Sequence, residues 1–127
     1  MSNSSWEIID YERPWTMNSE RQWHYHKRAR MVKDVRERFH WLALEQKIPK
    51  LERITVDATP LLKSKNAVPD VGACYPSVKA AIDGLVDARI IPDDDYKCVV
   101  RIAFHAPEFI DKVGLKLVIE EILLMVQ

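Results

Sequence analysis

Six aspartates fall between Lys65 and Asp95: Asp70, Asp83, Asp87, Asp93, Asp94 and Asp95. Carboxylates hold hard cations and orient water, so the first question is whether these can meet. Asp70 lies in a turn-rich approach with Pro69 and Gly72. Pro76 suits a first helical turn, where its missing N–H would be unpaired anyway. The spacing predicts a helix from Pro76 to about Ala88, with Val78, Ile82, Leu85 and Val86 as its apolar stripe. Lys79, Asp83 and Asp87 are four apart and share one helix face. Pro92 ends the region, and Asp93 to Asp95 lead into a predicted strand. Carboxylates from a loop, a helix and a strand start can converge on one point. Mg²⁺ asks for such a set: a few carboxylate oxygens, water and substrate phosphate.

The same residues admit a plainer account. Aspartate caps helices and forms turns with its own side chain, and Lys79 with Asp83 can be a solvated i,i+4 pair.

The run Asp70-Val71-Gly72-Ala73-Cys74-Tyr75-Pro76-Ser77-Val78-Lys79-Ala80-Ala81-Ile82-Asp83-Gly84-Leu85-Val86-Asp87-Ala88, followed by Ile91-Pro92-Asp93-Asp94-Asp95, resembles the RusA family of Holliday-junction resolvases. That family carries an Asp-x-Asp-Asn segment, a lysine on the next helix, an Asp-Gly/Ala-Leu step and an Asp-Asp pair opening the next strand. Asn18 to Arg21 resembles its N-terminal Asn-and-Arg segment, and the later strands follow its order. The resemblance implies a Mg²⁺-dependent endodeoxyribonuclease, with Mn²⁺ as a substitute, that cuts four-way junctions in DNA recombination and repair. It implies Asp70, Lys79, Asp83 and Asp94 as catalytic residues, with Asp70, Asp93 and Asp94 around the metal. A phage or prophage setting and a homodimer follow from the same likeness. A junction is close to two-fold symmetric and needs two opposed nicks, which a C2 dimer supplies. One departure stands out: Gly72 and Ala73 occupy the places of the family's second Asp and its Asn. A protein of the same fold that binds branched DNA without cutting it well is the alternative this opens.

The supporting elements read as follows. Residues 1–5 are small and polar and are expected to be loose. Trp6 to Tyr11 is predicted as a strand, broken by Pro14. Ser19 with Gln22 makes a capping-box pattern for a long helix running to about Gln46. Met31, Val35, Phe39 and Leu42 form its apolar stripe. It carries Arg21, Lys27, Arg28, Arg30, Lys33, Arg36 and Arg38 against Asp34 and Glu37, while the rest of the chain is net acidic. Such a basic element reads as a phosphate-backbone surface. Trp23, His24, Tyr25 and His26 add rings for unstacked bases. Asn18, Arg21, Lys27, Arg28, Arg30 and Lys33 are the DNA-contact candidates there. Arg53 to Pro60 reads as a strand with Ile54, Val56 and Ala58 inward and Arg53, Thr55 and Asp57 wet. Lys63 and Lys65 follow in a basic turn, as phosphate contacts or as a solvated loop. Lys97 to His105 and Gly114 to Glu121 complete the strands, and apolar Ile122 to Val126 reads as the last part of that strand or as a patch for a second subunit. The order β-α-β-α-β-β implies an α/β (α+β) domain of two helices on a small mixed sheet.

Composition bounds the rest. The 127 residues suit one domain, and 47% hydrophobic with 30% charged residues fits a globular chain. Net charge is +0, so any nucleic-acid affinity must come from charge distribution. Cys74 and Cys98 lack zinc-type spacing, and a reduced cytoplasmic setting is expected. No apolar run is long enough to span a membrane, and the first residues lack a signal-peptide pattern.

Overall fold

The computed structural model describes residues 4–123. Its elements run β1 (Ser5–Asp10), α1 (Met17–Glu20), α2 (Tyr25–Glu45), β2 (Ile54–Leu62), α3 (Tyr75–Asp87), β3 (Val99–Phe104), β4 (Glu108–Phe109) and β5 (Gly114–Glu121). The architecture is a small α+β domain with a mixed sheet in the order β1-β5-β2-β3, β4 also pairing β2.

Strand β5 is antiparallel to both β1 and β2, and β2 is parallel to β3. Thus β1, β2 and β3 point the same way and end on the same side of the sheet. Strand β4 extends the β3 edge: Ala58 pairs Phe104, and Leu61 pairs Glu108 after a break at His105 to Pro107. Proline at that break cannot donate to a ladder, which explains why one strand becomes two.

One face of the sheet carries Ile8, Ile54, Val56, Ala58, Leu115, Leu117 and Ile119, all buried in one apolar cluster with Val35, Phe39 and Ala43 of α2 and Val78, Ile82 and Leu85 of α3. Helices α2 and α3 cross closely at Gly84, where an added Cβ would lie 2.6 Å from Arg36 O and 3.0 Å from Phe39 Cβ. Only a residue without a side chain permits that approach.

Four expectations need correction. Ser5 is not loose: it pairs Glu120 in β1, because the edge strand borrows a ladder from β5. The long basic helix is two helices. Thr16, not Ser19, caps α1, and His24 caps α2 by accepting from the His26 N–H at 3.2 Å. Residues 21–24 form the break between them, so Arg21 lies off α2. In β2, Thr55 is buried rather than wet, because β2 is flanked by β5 and β3. The alternation of Lys97 to His105 puts Val100 on one side with Ile102 and Phe104. A bulge in β3 opposite Ile54 and Thr55 instead turns Val99 toward the core in its place and leaves Val100 exposed. Residues 124–126 of the expected apolar end lie outside the described residues.

Candidate functional site

The six aspartates separate into distinct settings. Lys79 and Asp83 lie one turn apart on the second and third turns of α3, half-buried on its flank. Lys79 Nζ donates to Asp83 Oδ1 at 3.0 Å and to Asp94 Oδ2 at close range. One ammonium is therefore shared by a helix carboxylate and a carboxylate from the segment after Pro92. Burial alone would lower the Lys79 ammonium, but its bonds to Asp94 and Asp83 outweigh this and hold it above the usual lysine range. The bond from Lys79 draws Asp94 below the ordinary carboxylate range in return.

Asp87 lies one turn further along α3 and pairs with α2. Arg36 of α2 grips it in a two-point contact, Nε to Oδ2 at 3.0 Å and Nη2 to Oδ1 at 2.8 Å. That bond holds the Asp87 carboxyl low. Asp83 and Asp94 also act on Arg36, so the basic helix and the acidic cluster share one field. Asp93 and Asp95 serve the backbone: Asp93 Oδ1 accepts from the Asp94 N–H at 2.7 Å, and Asp95 Oδ1 accepts from the Lys97 N–H at 3.0 Å. These two are the turn-forming aspartates of the plainer reading.

Asp70 lies elsewhere. It is exposed and lines a cleft with Arg13, Trp15, Leu62, Val71 and His105. Tyr75 at the start of α3 and Asp83 are eight residues apart, about 12 Å of helix axis, with Lys79 halfway between them. Among the described residues, no three His, Cys, Asp or Glu side chains group to hold a metal ion. Asp83 and Asp94, by contrast, already converge on a single cation. That pair fits the one or two carboxylates by which Mg²⁺ is commonly held beside substrate phosphate. Asp70 does not belong to this donor set.

Gly72 has φ +89° and an ideal Cβ there would meet nothing within 4 Å. The backbone, rather than crowding, selects glycine at this turn. Any side-chain-bearing residue at this position would have to adopt that positive φ.

The basic residues also divide. Arg38 is spent on buried Asp10, with Nε 3.0 Å from Oδ2, and burial pushes the Asp10 carboxyl up despite this partner. Lys27 sits over the Trp23 ring at 4.8 Å. Arg28, Arg30 and Lys33 are exposed. Arg28, Lys33 and Arg36 line a shallow groove on α2 with Tyr25, Val32 and Asp87. The rings of His24, Tyr25 and His26 pack on one another at 4.0–4.9 Å at the start of α2. Asn18 and Arg21 line a second groove beside Asp70, while Lys63 is exposed and Lys65 lies over Phe109 at 5.5 Å.

Arg13 and His105 had no signal in the sequence as site residues. His105 Nε2 lies 2.7 Å from Asp57 Oδ1, across 48 positions of chain, and only strand pairing reveals that meeting. Trp15 followed a predicted strand and a proline, a loop position where a large ring is a modest hint. No helix among the described residues is long and apolar enough to cross a membrane. Compared with protein-family models and with curated proteins, the chain matches none.

Proposed function

We propose that the protein acts on branched DNA as a metal-dependent structure-specific endonuclease that resolves four-way junctions. The observation that carries this reading is the Lys79 ammonium shared by Asp83 and Asp94, next to the groove of Arg28, Lys33 and Arg36. A phosphate backbone lying along α2 would meet donors that position it, since phosphate contacts fix register without reading sequence. Lys79 is drawn toward any phosphate that competes with its two carboxylates, and its exchange to a phosphate oxygen would free them. Bound Mg²⁺, or Mn²⁺ in its place, would supply charge neutralisation and an activated water at Asp83 and Asp94. Asp93 orients Asp94 through the backbone bond between them. A homodimer would match the junction's symmetry, with one cutting cluster on each of two opposed strands. The expected setting is the cytoplasm of a bacterial or phage-infected cell, with roles in recombination and repair.

A second reading is favoured by one observation: both carboxylates are already bonded to Lys79, and Asp70 stands apart. A junction-binding protein with little cutting activity would carry this arrangement. Incubating the purified protein with an end-labelled four-way junction, with Mg²⁺ or with EDTA, separates the two. Paired symmetric nicks that require Mg²⁺ support the endonuclease. Retention of the junction on a gel with no nicks in either buffer supports the binder, and no retention at all removes both.

A further inference from the structure

The cleft that Asp70 lines has a place of its own in the fold. It opens where β1, β2 and β3 end, bordered by Arg13 to Thr16 after β1, Pro60 and Leu62 of β2, and His105 and Pro107 after β3. Crevices outside the carboxyl ends of parallel strands are where open sheets bind ligands, because the connections diverge there. Its volume is about 280 Å³, at the small end for ligand pockets (about 300–1,000 Å³). That suits one flat ring system.

Its walls are held before any ligand arrives. The Trp15 N–H donates to Ser77 Oγ at 2.8 Å, and that hydroxyl donates back to Trp15 O at 3.0 Å, both buried. Trp15 Nε1 donates to Glu20 at 3.0 Å, and the Met17 N–H donates to Ala73 O at 2.9 Å. The segment after β1 is thereby fastened to α3 and to the Asp70 turn. A preformed wall costs a ligand little ordering entropy.

The polar groups define the ligand further. Thr16, Ser19 and His105 also line the cleft and can donate or accept, whereas an ionised Asp70 only accepts hydrogen bonds and Arg13 only donates them. A ring satisfying both carries an amino group and a ring acceptor. The neighbouring groove shares Thr16, Pro69, Asp70, Val71 and Gly72 with the cleft and adds Asn18 and Arg21. A strand whose base enters the cleft would carry its phosphate toward Arg21.

We propose that this cleft receives one unpaired, amino-bearing nucleobase of a DNA strand, with Asp70 accepting from the amino group and Arg13 donating to the ring. This rests on the branched-DNA reading above and adds a base-reading subsite distinct from the Lys79 cluster. A branch point supplies such bases, and apolar walls of Trp15, Leu62 and Pro107 receive their faces. A free nucleoside presents the same chemistry without the phosphate path across Arg21.

The test is fluorescence anisotropy of short end-labelled single strands of equal length, in EDTA, with the whole chain. Oligodeoxycytidylate is expected to bind about tenfold more tightly than oligothymidylate or an abasic strand. Asp70→Ala and Arg13→Ala, both at exposed positions, should bring it down to the oligothymidylate level. Deoxycytidine alone should compete weakly if the strand's phosphate contributes; full competition would make the free nucleoside the ligand and overturn the strand proposal. Equal affinity for the cytidylate and abasic strands, or an undiminished preference in Asp70→Ala, would overturn it too. Retention of a fully paired four-way junction in the same buffer reads the DNA-binding proposal separately. Junction retained with no base preference sinks only the cleft; neither retained sinks both.

Discussion

At the N-terminal approach to α3, Asp70 lies exposed beside a cleft whose walls are hydrogen-bonded in place; two turns into the same helix, Asp83 shares the Lys79 ammonium with Asp94. Both regions hold aspartates of one short stretch, yet their surroundings give them different chemistry. Near α2, bonds from Lys79 and Arg36 hold the Asp94 and Asp87 carboxyls below the ordinary carboxylate range. Beside the cleft, Asp70 meets apolar walls together with Arg13, Thr16, Ser19 and His105. Proximity in sequence did not become convergence in space: among the described residues, no three His, Cys, Asp or Glu side chains group to hold a metal ion.

The strongest way to break the comparison is at the helix crossing. Gly84→Val would drive a side chain into the Arg36 carbonyl and Phe39. We expect a loss of about 3 kcal/mol, read by urea denaturation. If the variant folds, spreading α2 from α3 should disturb the Lys79 cluster and leave base preference at the cleft intact. Stability unchanged by valine would mean the helices do not cross as described.

Ser77→Ala tests the other end. It leaves the buried Trp15 N–H and C=O without their hydroxyl partner, at a cost of about 2 kcal/mol. The cleft wall should loosen, so single-strand preference should fall before junction retention does. A loss confined to junction retention would contradict the division.

Gly72→Asp restores the carboxylate that the family resemblance calls for. The backbone at φ +89° resists it, so thermal unfolding should report a loss of about 1 kcal/mol. No gain in Mg²⁺-dependent nicking is expected, because the residue borders the Asp70 cleft and not the Lys79 cluster. A large gain would return Asp70 to the cutting site.

The smallest effect concerns pH. Asp87 and Asp94 have lowered carboxyls in the fold, so the unfolded chain takes up protons first as pH falls. The stability they contribute is present above the unfolded aspartate value of about 3.9 and is lost as pH falls through their folded values. The Arg36–Asp87 pair is solvent-accessible, so Asp87→Asn should cost only about 0.5 kcal/mol at neutral pH. Denaturation at pH 7 and pH 3 should show that difference shrinking in acid; a difference that grows would reverse the assignment.

The sequence carried much of this frame. Period-two alternation located β2 and β5, and the apolar stripe with Pro76 located α3 within a residue. Val35 and Phe39 were legible as the buried face of α2. The break at residues 21–24 was not, because Ser19 with Gln22 imitates a capping box while Thr16 and His24 do the capping. The bulge opposite Ile54 was equally hidden, since Val99 and Val100 are the same residue type. At the site, the i,i+4 spacing of Lys79 and Asp83 gave their contact outright, and Asp94 was named. What no spacing could give was the spending of charges over long range, Arg36 on Asp87 and Arg38 on Asp10. Nor could it give the cleft, whose lining is drawn from segments after β1 and β3, from the end of β2 and from the approach to α3.

The central claim is that cutting belongs to the Lys79–Asp83–Asp94 cluster while Asp70 serves the base-receiving cleft. Steady-state nicking of a labelled four-way junction in Mg²⁺, for Asp94→Asn and Asp70→Ala side by side, tests it most directly. Asp94→Asn should lower kcat by about 100-fold or more, the scale of one lost preorganised electrostatic contact. Asp70→Ala should instead raise KM about tenfold with kcat largely kept, the signature of lost substrate binding. Equal collapse of kcat in both variants, or full activity in Asp94→Asn, would contradict the account.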